Sequence, residues 1–366
     1  MLPFPTNPAL KGLPVYQPGR PIEEVARELD LPADSIIKLA SNENPLGPSP
    51  LALKAMRKTL PMLNLYPDGN AFYVKNKLAS ALGLTSANLI LGNGSNEVLE
   101  LLGHVLLAPG CEVIVSQYCF AVYPIVTALF GAKLVTVPAK NFGHDLEAML
   151  AAITPATRLI FAANPNNPTG TAVTPDALRA FVDAVPRNVV LALDEAYIEF
   201  LAEPLDLLAD IRAGKHPHLL LLRTFSKIYG LAGLRLGYGI GHPEFIAALE
   251  KVRQPFNINA LVQAGALAAL DDKAHVEKTR RSNERGQKFY TRAFRELGLQ
   301  FIPSFANFVL VRVGDGQRVF NEMQKAGVIV RPMAGYGLPE WIRISIGTTG
   351  ENVHCLEALR AALHKT

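Results

Sequence analysis

The stretch LLLLRTFSKIYGLAGLRLGY, residues 219–238, opens with four leucines and then changes character abruptly. An unbroken apolar run of this kind reads as a strand buried on both faces of a mostly parallel sheet. Just past it stand Thr224, Ser226 and Lys227, and Arg235 follows eight residues beyond the lysine. Most lysines are solvated surface charges. A lysine at the end of a buried strand, flanked by two hydroxyls and followed by an arginine, suits a narrower task. Its amine can condense with an aldehyde while hydroxyls and a guanidinium grip a phosphate.

Other segments repeat this design. In an open α/β sheet, ligands bind beyond the carboxyl ends of the strands. Residues 89–91 lead into GNGSNE, 92–97, where small residues open a helix whose exposed N–H groups and dipole favour an anion. An ordinary strand-to-helix turn would look much the same. Residues 158–162 lead into NPNNPTG, 164–170, whose two X-Pro steps force a rigid extended loop with projecting amides. A plain proline-rich turn would not require so many asparagines. Residues 189–193 lead to Asp194 in LDEAY, 193–197. A carboxylate there is costly to desolvate unless a cation or donor meets it, and a protonated ring nitrogen would serve. Otherwise Asp194 would simply cap the next helix.

Further β-rich runs at 112–115 and 134–137 alternate with helical segments. A chain of 366 residues exceeds the size at which one core stops growing, which favours two domains. The reading is an arm at 1–40 that joins the small domain, a large ligand-binding domain at 41–250, and a small α+β domain at 251–366. A helix is expected at 22–29. Ser95 is placed as the cap of a helix with apolar residues at Val98, Leu101, Leu102, Val105 and Leu106, and Thr174 before Pro175 caps another. A helical pattern at 243–270 bridges to a long charged helix at 276–297. Strands at 308–313, 328–331 and 341–346 and a last helix at 352–364 follow.

With 49% hydrophobic and 19% charged residues, the chain has ample material for packed cores and is not disordered. The net charge is only +4 and forms no basic arm, which argues against nucleic acid as a partner. Cys111, Cys119 and Cys355 show no C-x-x-C or metal-like spacing and read as reduced core residues of a cytoplasmic protein. No metal is expected. The proline-rich start is not a signal peptide, and apolar stretches such as 258–270 are too short and interrupted to cross a bilayer. A soluble protein without a membrane partner is expected.

NPNNPTG, LDEAY and SKIYGLAGLRLGY, in this order, resemble the motifs of the fold type I aminotransferases, which depend on pyridoxal 5'-phosphate (PLP). Within that group the likeness is greatest to the histidinol-phosphate aminotransferases. It is carried by LPVYQPG (13–19), LASNENPLG (39–47), YPD (66–68), VIVRP (328–332) and IRISIG (342–347). The resemblance covers nearly the whole chain. It implies the α/β fold of type I, with a mostly parallel central sheet and a smaller α+β domain.

The resemblance also implies roles. Lys227 would carry PLP as a Schiff base and later move a proton. Asp194 would keep the ring nitrogen protonated, and Tyr197 and Asn167 would bond the phenolic oxygen. Ser95, Asn96, Thr224, Ser226 and Arg235 would hold the phosphate. In QYCFAVY, 117–123, Phe120 would stack on the ring, with Tyr118 the other candidate and a plain core position the alternative for Phe120. Tyr66 would reach the neighbouring subunit's phosphate across the interface of a homodimer. Asn42 would contact substrate. Arg343 would hold an anionic group, and Arg331 with Tyr16 would suit a dianionic phosphate ester.

The implied reaction converts L-histidinol phosphate and 2-oxoglutarate to imidazole-acetol phosphate and L-glutamate, a step of histidine biosynthesis. Aromatic amino-acid transamination and decarboxylation of a phosphorylated amino acid would use the same cofactor site. A PLP-sensing transcription regulator would need a DNA-binding segment for which the sequence leaves no room.

Overall fold

The computed structural model describes residues 8–10, 13, 15 and 19–364. A seven-stranded sheet forms the centre of the large domain. Its order is Leu89–Asn93, Leu236–Gly241, Leu219–Thr224, Val190–Asp194, Thr157–Ala163, Glu112–Ser116 and Lys133–Val137. Leu236–Gly241 runs antiparallel to both its neighbours, and the remaining pairings are parallel.

The continuous apolar runs arise because both faces are covered. Leu89, Leu91, Leu191, Leu193, Leu219 and Leu221 enter one core with helices Pro50–Thr59, Phe72–Leu82, Pro175–Ala184 and Ala260–Ala269. Ile90, Ala192, Leu220 and Leu222 point the other way, into a core with helices Ser95–Leu106, Val122–Leu129 and Pro243–Glu250. Side chains alternate across a strand, so a run that is leucine at every position fits a strand between two apolar layers. Each fully buried leucine contributes roughly 1.5–3 kcal/mol, so the two layers fix the sheet and, with it, the positions of the strand ends.

The small domain has a four-stranded antiparallel sheet in the order Arg331–Pro332, Trp341–Ser345, Phe308–Arg312 and Phe301–Ile302. Helices Lys273–Glu296, Gly316–Lys325 and Thr349–His364 accompany it. Val25, Ile36, Leu39 and Ala40 pack into this domain's core, and Ile37–Lys38 pairs in parallel with Val328–Ile329.

Several local expectations need correction. The pattern at 243–270 is two helices, Pro243–Glu250 and Ala260–Ala269. Between them Phe256 takes a positive φ of 56°, and the Asn259 side chain accepts from the Val262 N–H to start the second helix. Val262, Ala266 and Ala269 pack into the same core as the seven-stranded sheet. Ser95 is the first helical residue rather than the cap, which is Gly94. Thr174 caps as expected, accepting from the Ala177 N–H at 3.3 Å with Pro175 in the first turn. Cys119 and Cys355 are buried, whereas Cys111 is only half-buried, and all three are free thiols. Among the described residues no helix is long and apolar enough to cross a membrane.

Candidate active site

The carboxyl ends of the parallel strands open into a cavity of about 360 Å³ that the small domain closes from the other side. Of the residues singled out in the sequence, Asn42, Ser95, Asn96, Phe120, Asn167, Asp194, Tyr197, Thr224, Ser226, Lys227, Arg235, Arg331 and Arg343 all line it. Tyr118 does not; its ring packs beside Phe142 at 5.8 Å. Tyr66 lies elsewhere, 84% exposed and stacked on Phe256 at 4.8 Å. Tyr16 lies outside the described residues.

Two acids end the central strand, and the structure separates their tasks. Asp194 faces the cavity. Its Oδ2 accepts from the Tyr123 hydroxyl at 2.7 Å and its Oδ1 from the Ala196 N–H at 3.0 Å. Glu195 turns away and pairs with Arg223 at 2.8 Å. Burial raises the proton affinity of both carboxyls. For Glu195 the Arg223 guanidinium opposes it; for Asp194 the opposition comes from Tyr123, Ala196 and Lys227. An acid so placed favours a cationic partner.

Lys227 is the complementary group. Burial, then the positive charge of Arg343 and, more weakly, that of Arg235, holds its amine down at about 8, with Glu43 and Asp194 acting against them. The amine donates to the Ser41 carbonyl at 3.2 Å and lies 5.7 Å from the centre of the Tyr197 ring. A lysine near neutrality supplies the unprotonated amine that attack on a carbonyl requires.

An anion cradle lies at one end. The Leu236 carbonyl accepts from the Thr224 hydroxyl at 3.2 Å, and Thr224 Oγ1 accepts from the Ser226 N–H at 3.0 Å. Ser95 and Asn96 begin a helix of twelve residues, whose N-terminus favours negative charge. Gly94 has φ +73°, and a Cβ there would collide with the Arg235 guanidinium; a Cβ on Gly237 would collide with the Ser95 N–H. Glycine at both positions lets the cradle close around its cation.

At the other end Arg343, on Trp341–Ser345, donates to Asn167 Oδ1 at 2.7 Å and to the Ala40 carbonyl at 2.9 Å. Its guanidinium lies over the Phe308 ring at 5.1 Å. Asn42, with φ +55°, donates from Nδ2 to the Tyr197 hydroxyl at 2.9 Å. Its Oδ1 accepts from the Ser345 hydroxyl at 3.0 Å. Together these groups can hold an aromatic cofactor bearing a carbonyl, a basic ring nitrogen and a phosphate, and Arg331 and Arg343 line the same cavity.

The model of the family "Aminotransferase class I and II" matches residues 34–359. The chain belongs to this family. A histidinol-phosphate aminotransferase of Akkermansia muciniphila is 51% identical over 358 residues, covering 98% of each chain. Histidinol-phosphate aminotransferase 2 of Ralstonia nicotianae is also 51% identical, covering 97% of this chain and 96% of its own. The crystal structure of histidinol-phosphate aminotransferase from Sinorhizobium meliloti, in complex with pyridoxal-5'-phosphate, superposes with a TM-score of 0.88 at 29% identity. That match covers 98% of this chain and 97% of the other.

For this aminotransferase, sequence reasoning overlooked several cavity residues. Ser41, Glu43, Ala196 and Tyr336 line the site, and Tyr123 was quoted only as a neighbour of the stacking candidate. Ser41 and Ala196 act through backbone atoms, which carry no side-chain signature. Tyr123 had a faint one: a phenol in the first turn of an apolar helix wants a partner for its hydroxyl when buried.

Proposed function

We propose that this aminotransferase uses PLP to move an amino group from L-histidinol phosphate to 2-oxoglutarate, giving imidazole-acetol phosphate and L-glutamate. The observation that carries the choice of substrate is the pair Arg331 and Arg343 in one cavity with Lys227 and Asp194. Two cations facing a monoanionic carboxylate leave like charges poorly compensated, whereas a phosphate dianion suits both. The identity to histidinol-phosphate aminotransferases over nearly the whole chain supports the same reading.

The site fits PLP by the chemistry of its donors. The buried Asp194 carboxylate calls for a cation and would hold the ring nitrogen, and Lys227 offers an amine held near neutrality. Ser95, Asn96, Thr224, Ser226 and Arg235 would take the phosphate. Tyr197 and Asn167 would take the phenolic oxygen, and Phe120 would cover one ring face. When bound, PLP supplies an electron sink for the negative charge that develops at the substrate carbon.

The chain's own residues do the rest. Lys227 would remove the proton from the substrate carbon and hold it for redelivery. Asn42 donates to the Tyr197 hydroxyl, which would leave the phenolic proton to donate to the cofactor's oxygen. Arg331 and Arg343 bind the phosphate of the first substrate and the carboxylate of the second, and Asn42 lies at the edge of the substrate space.

A homodimer completes the proposal. Leu63, Leu65, Tyr66, Phe72 and Tyr73 are all exposed, and a second copy would cover them while Tyr66 reaches the neighbour's phosphate. Free thiols support a cytoplasmic location. The deciding experiment compares kcat/KM for histidinol phosphate with that for phenylalanine and tyrosine. A preference for the phosphate ester is expected; a large preference for the aromatic amino acids would overturn the assignment.

A further inference from the structure

One fully buried hydroxyl beside the reacting centre has no part in the reading above. Tyr123 lies in the first turn of Val122–Leu129 and is 1% exposed. Its ring stacks on Phe161 at 4.6 Å with only 10° between the planes. Phe161 belongs to the strand that pairs with the Asp194 strand, so the phenol is braced on the same sheet as the acid it serves. The hydroxyl and the Ala196 N–H each take one oxygen of Asp194. Each carboxylate oxygen keeps capacity for one more donor.

We propose that Tyr123 is a positioning residue for the cofactor: its hydroxyl fixes the plane of the Asp194 carboxylate and keeps it ionised, so that the shared proton stays on the ring nitrogen. This rests on the PLP reading of the site. When two bases share a proton, whatever stabilises the carboxylate leaves the proton on the nitrogen. Burial works in the opposite direction at Asp194, and the Tyr123 hydrogen bond is the foremost group opposing it. The phenol itself is pushed well above its ordinary value by burial and by Asp194, so it stays a donor.

The other titratable groups around this pair are Lys227, Tyr197, Cys119 and Glu195. Tyr197 and Cys119 are pushed up to about 12 by burial and stay neutral. Glu195 is engaged by Arg223. Tyr123 and Lys227 are therefore the side chains left to favour the ionised form of Asp194.

Tyr123→Phe keeps the ring and its stack and removes only the donor. The experiment titrates the visible absorbance of the PLP-loaded protein with pH and measures the PLP dissociation constant. In the variant the proton moves toward Asp194 and the ring loses positive charge. The Lys227 nitrogen then holds its proton to higher pH. The midpoint of the colour change is expected to rise by about half to one pH unit, and PLP affinity to fall roughly tenfold.

Tyr123→His, which restores a donor, should bring the midpoint most of the way back. In an Asp194→Asn background, adding Tyr123→Phe should move nothing further. If the phenol only fills space, Tyr123→Phe would leave both the midpoint and PLP affinity where they were, and that result would overturn the proposal. So would an undiminished shift in the Asp194→Asn background. Wild-type protein that stays colourless with PLP would overturn the cofactor reading itself, a different and distinguishable failure.

Discussion

Arg331 and Arg343 are direct register partners across an antiparallel strand pair, and both line the cavity that holds Lys227. Two guanidinium groups opposite one another make a place where an anion is favoured. Hydrogen bonds to charged groups contribute roughly 1.5–3 kcal/mol each. Arg331→Ala is therefore expected to lower kcat/KM for histidinol phosphate by roughly 10- to 150-fold, mainly through KM. Steady-state kinetics with the phosphate ester and with phosphate-free histidinol checks this. An equal loss for both donors would place Arg331 away from the phosphate.

Lys227→Ala should remove the visible band that wild-type protein shows with PLP, with the fold retained. Removing the side chain relieves a buried amine. Absorbance and circular dichroism of the same sample report the two halves of the expectation. A variant that keeps the wild-type band would put the reactive amine elsewhere.

The depressed Lys227 amine also predicts a pH dependence. With a value of about 8 in the cofactor-free chain, the amine is mostly protonated below that pH and mostly neutral above it. Only the neutral form attacks the aldehyde. The rate of PLP capture should thus rise as pH increases through about 8 and then level off. Rapid-mixing absorbance measures it; a rate still climbing steeply toward the ordinary lysine value would contradict the burial argument.

Gly94→Ala tests the anion cradle. The new methyl meets the Arg235 guanidinium, and the positive φ is strained for any residue with a Cβ. PLP affinity should fall by about tenfold or more, and the protein should lose roughly 1–3 kcal/mol of stability. Titration of cofactor binding and a thermal melt separate the two effects. The same substitution at Gly110, also at positive φ but with open space around it, should leave cofactor binding unchanged.

Leu65→Glu should break the proposed dimer, because it sets charge into the exposed apolar surface around Tyr66. Sedimentation velocity is expected to show a shift from dimer to monomer, with weaker PLP retention once the neighbour's Tyr66 is lost. A wild-type monomer would remove the basis for both effects.

Much of this site was legible before any coordinates. A leucine run needs two apolar layers, and a polar motif at its carboxyl end has nowhere to point but into the crevice. That logic points Asp194, Lys227 and Arg235 toward the crevice they line, while the roles proposed for them come from the resemblance. The strand Leu236–Gly241 was not legible as a sheet member, because Gly237, Gly239 and Gly241 normally weaken a strand. Its glycines are there for closeness: side chains would collide with the Ser95 backbone and crowd Ile90 and Leu220. The break at Phe256 escaped notice because the apolar pattern on either side keeps a helical period. The Tyr123 partnership escaped because it joins residues far apart in the chain.

Three consecutive residues reach three different instruments of the site. The Ala40 carbonyl takes a hydrogen from Arg343, the Ser41 carbonyl one from Lys227, and the Asn42 amide gives one to Tyr197. The proposed substrate grip, nucleophile and ring-oxygen donor thus hang from a single peptide segment, itself fastened to the small sheet through Ser345 and Asn307. A shift of that rail by a fraction of an ångström retunes all three at once. Mutations along it should therefore change affinity and turnover together, and selection has little freedom to adjust one without disturbing the other.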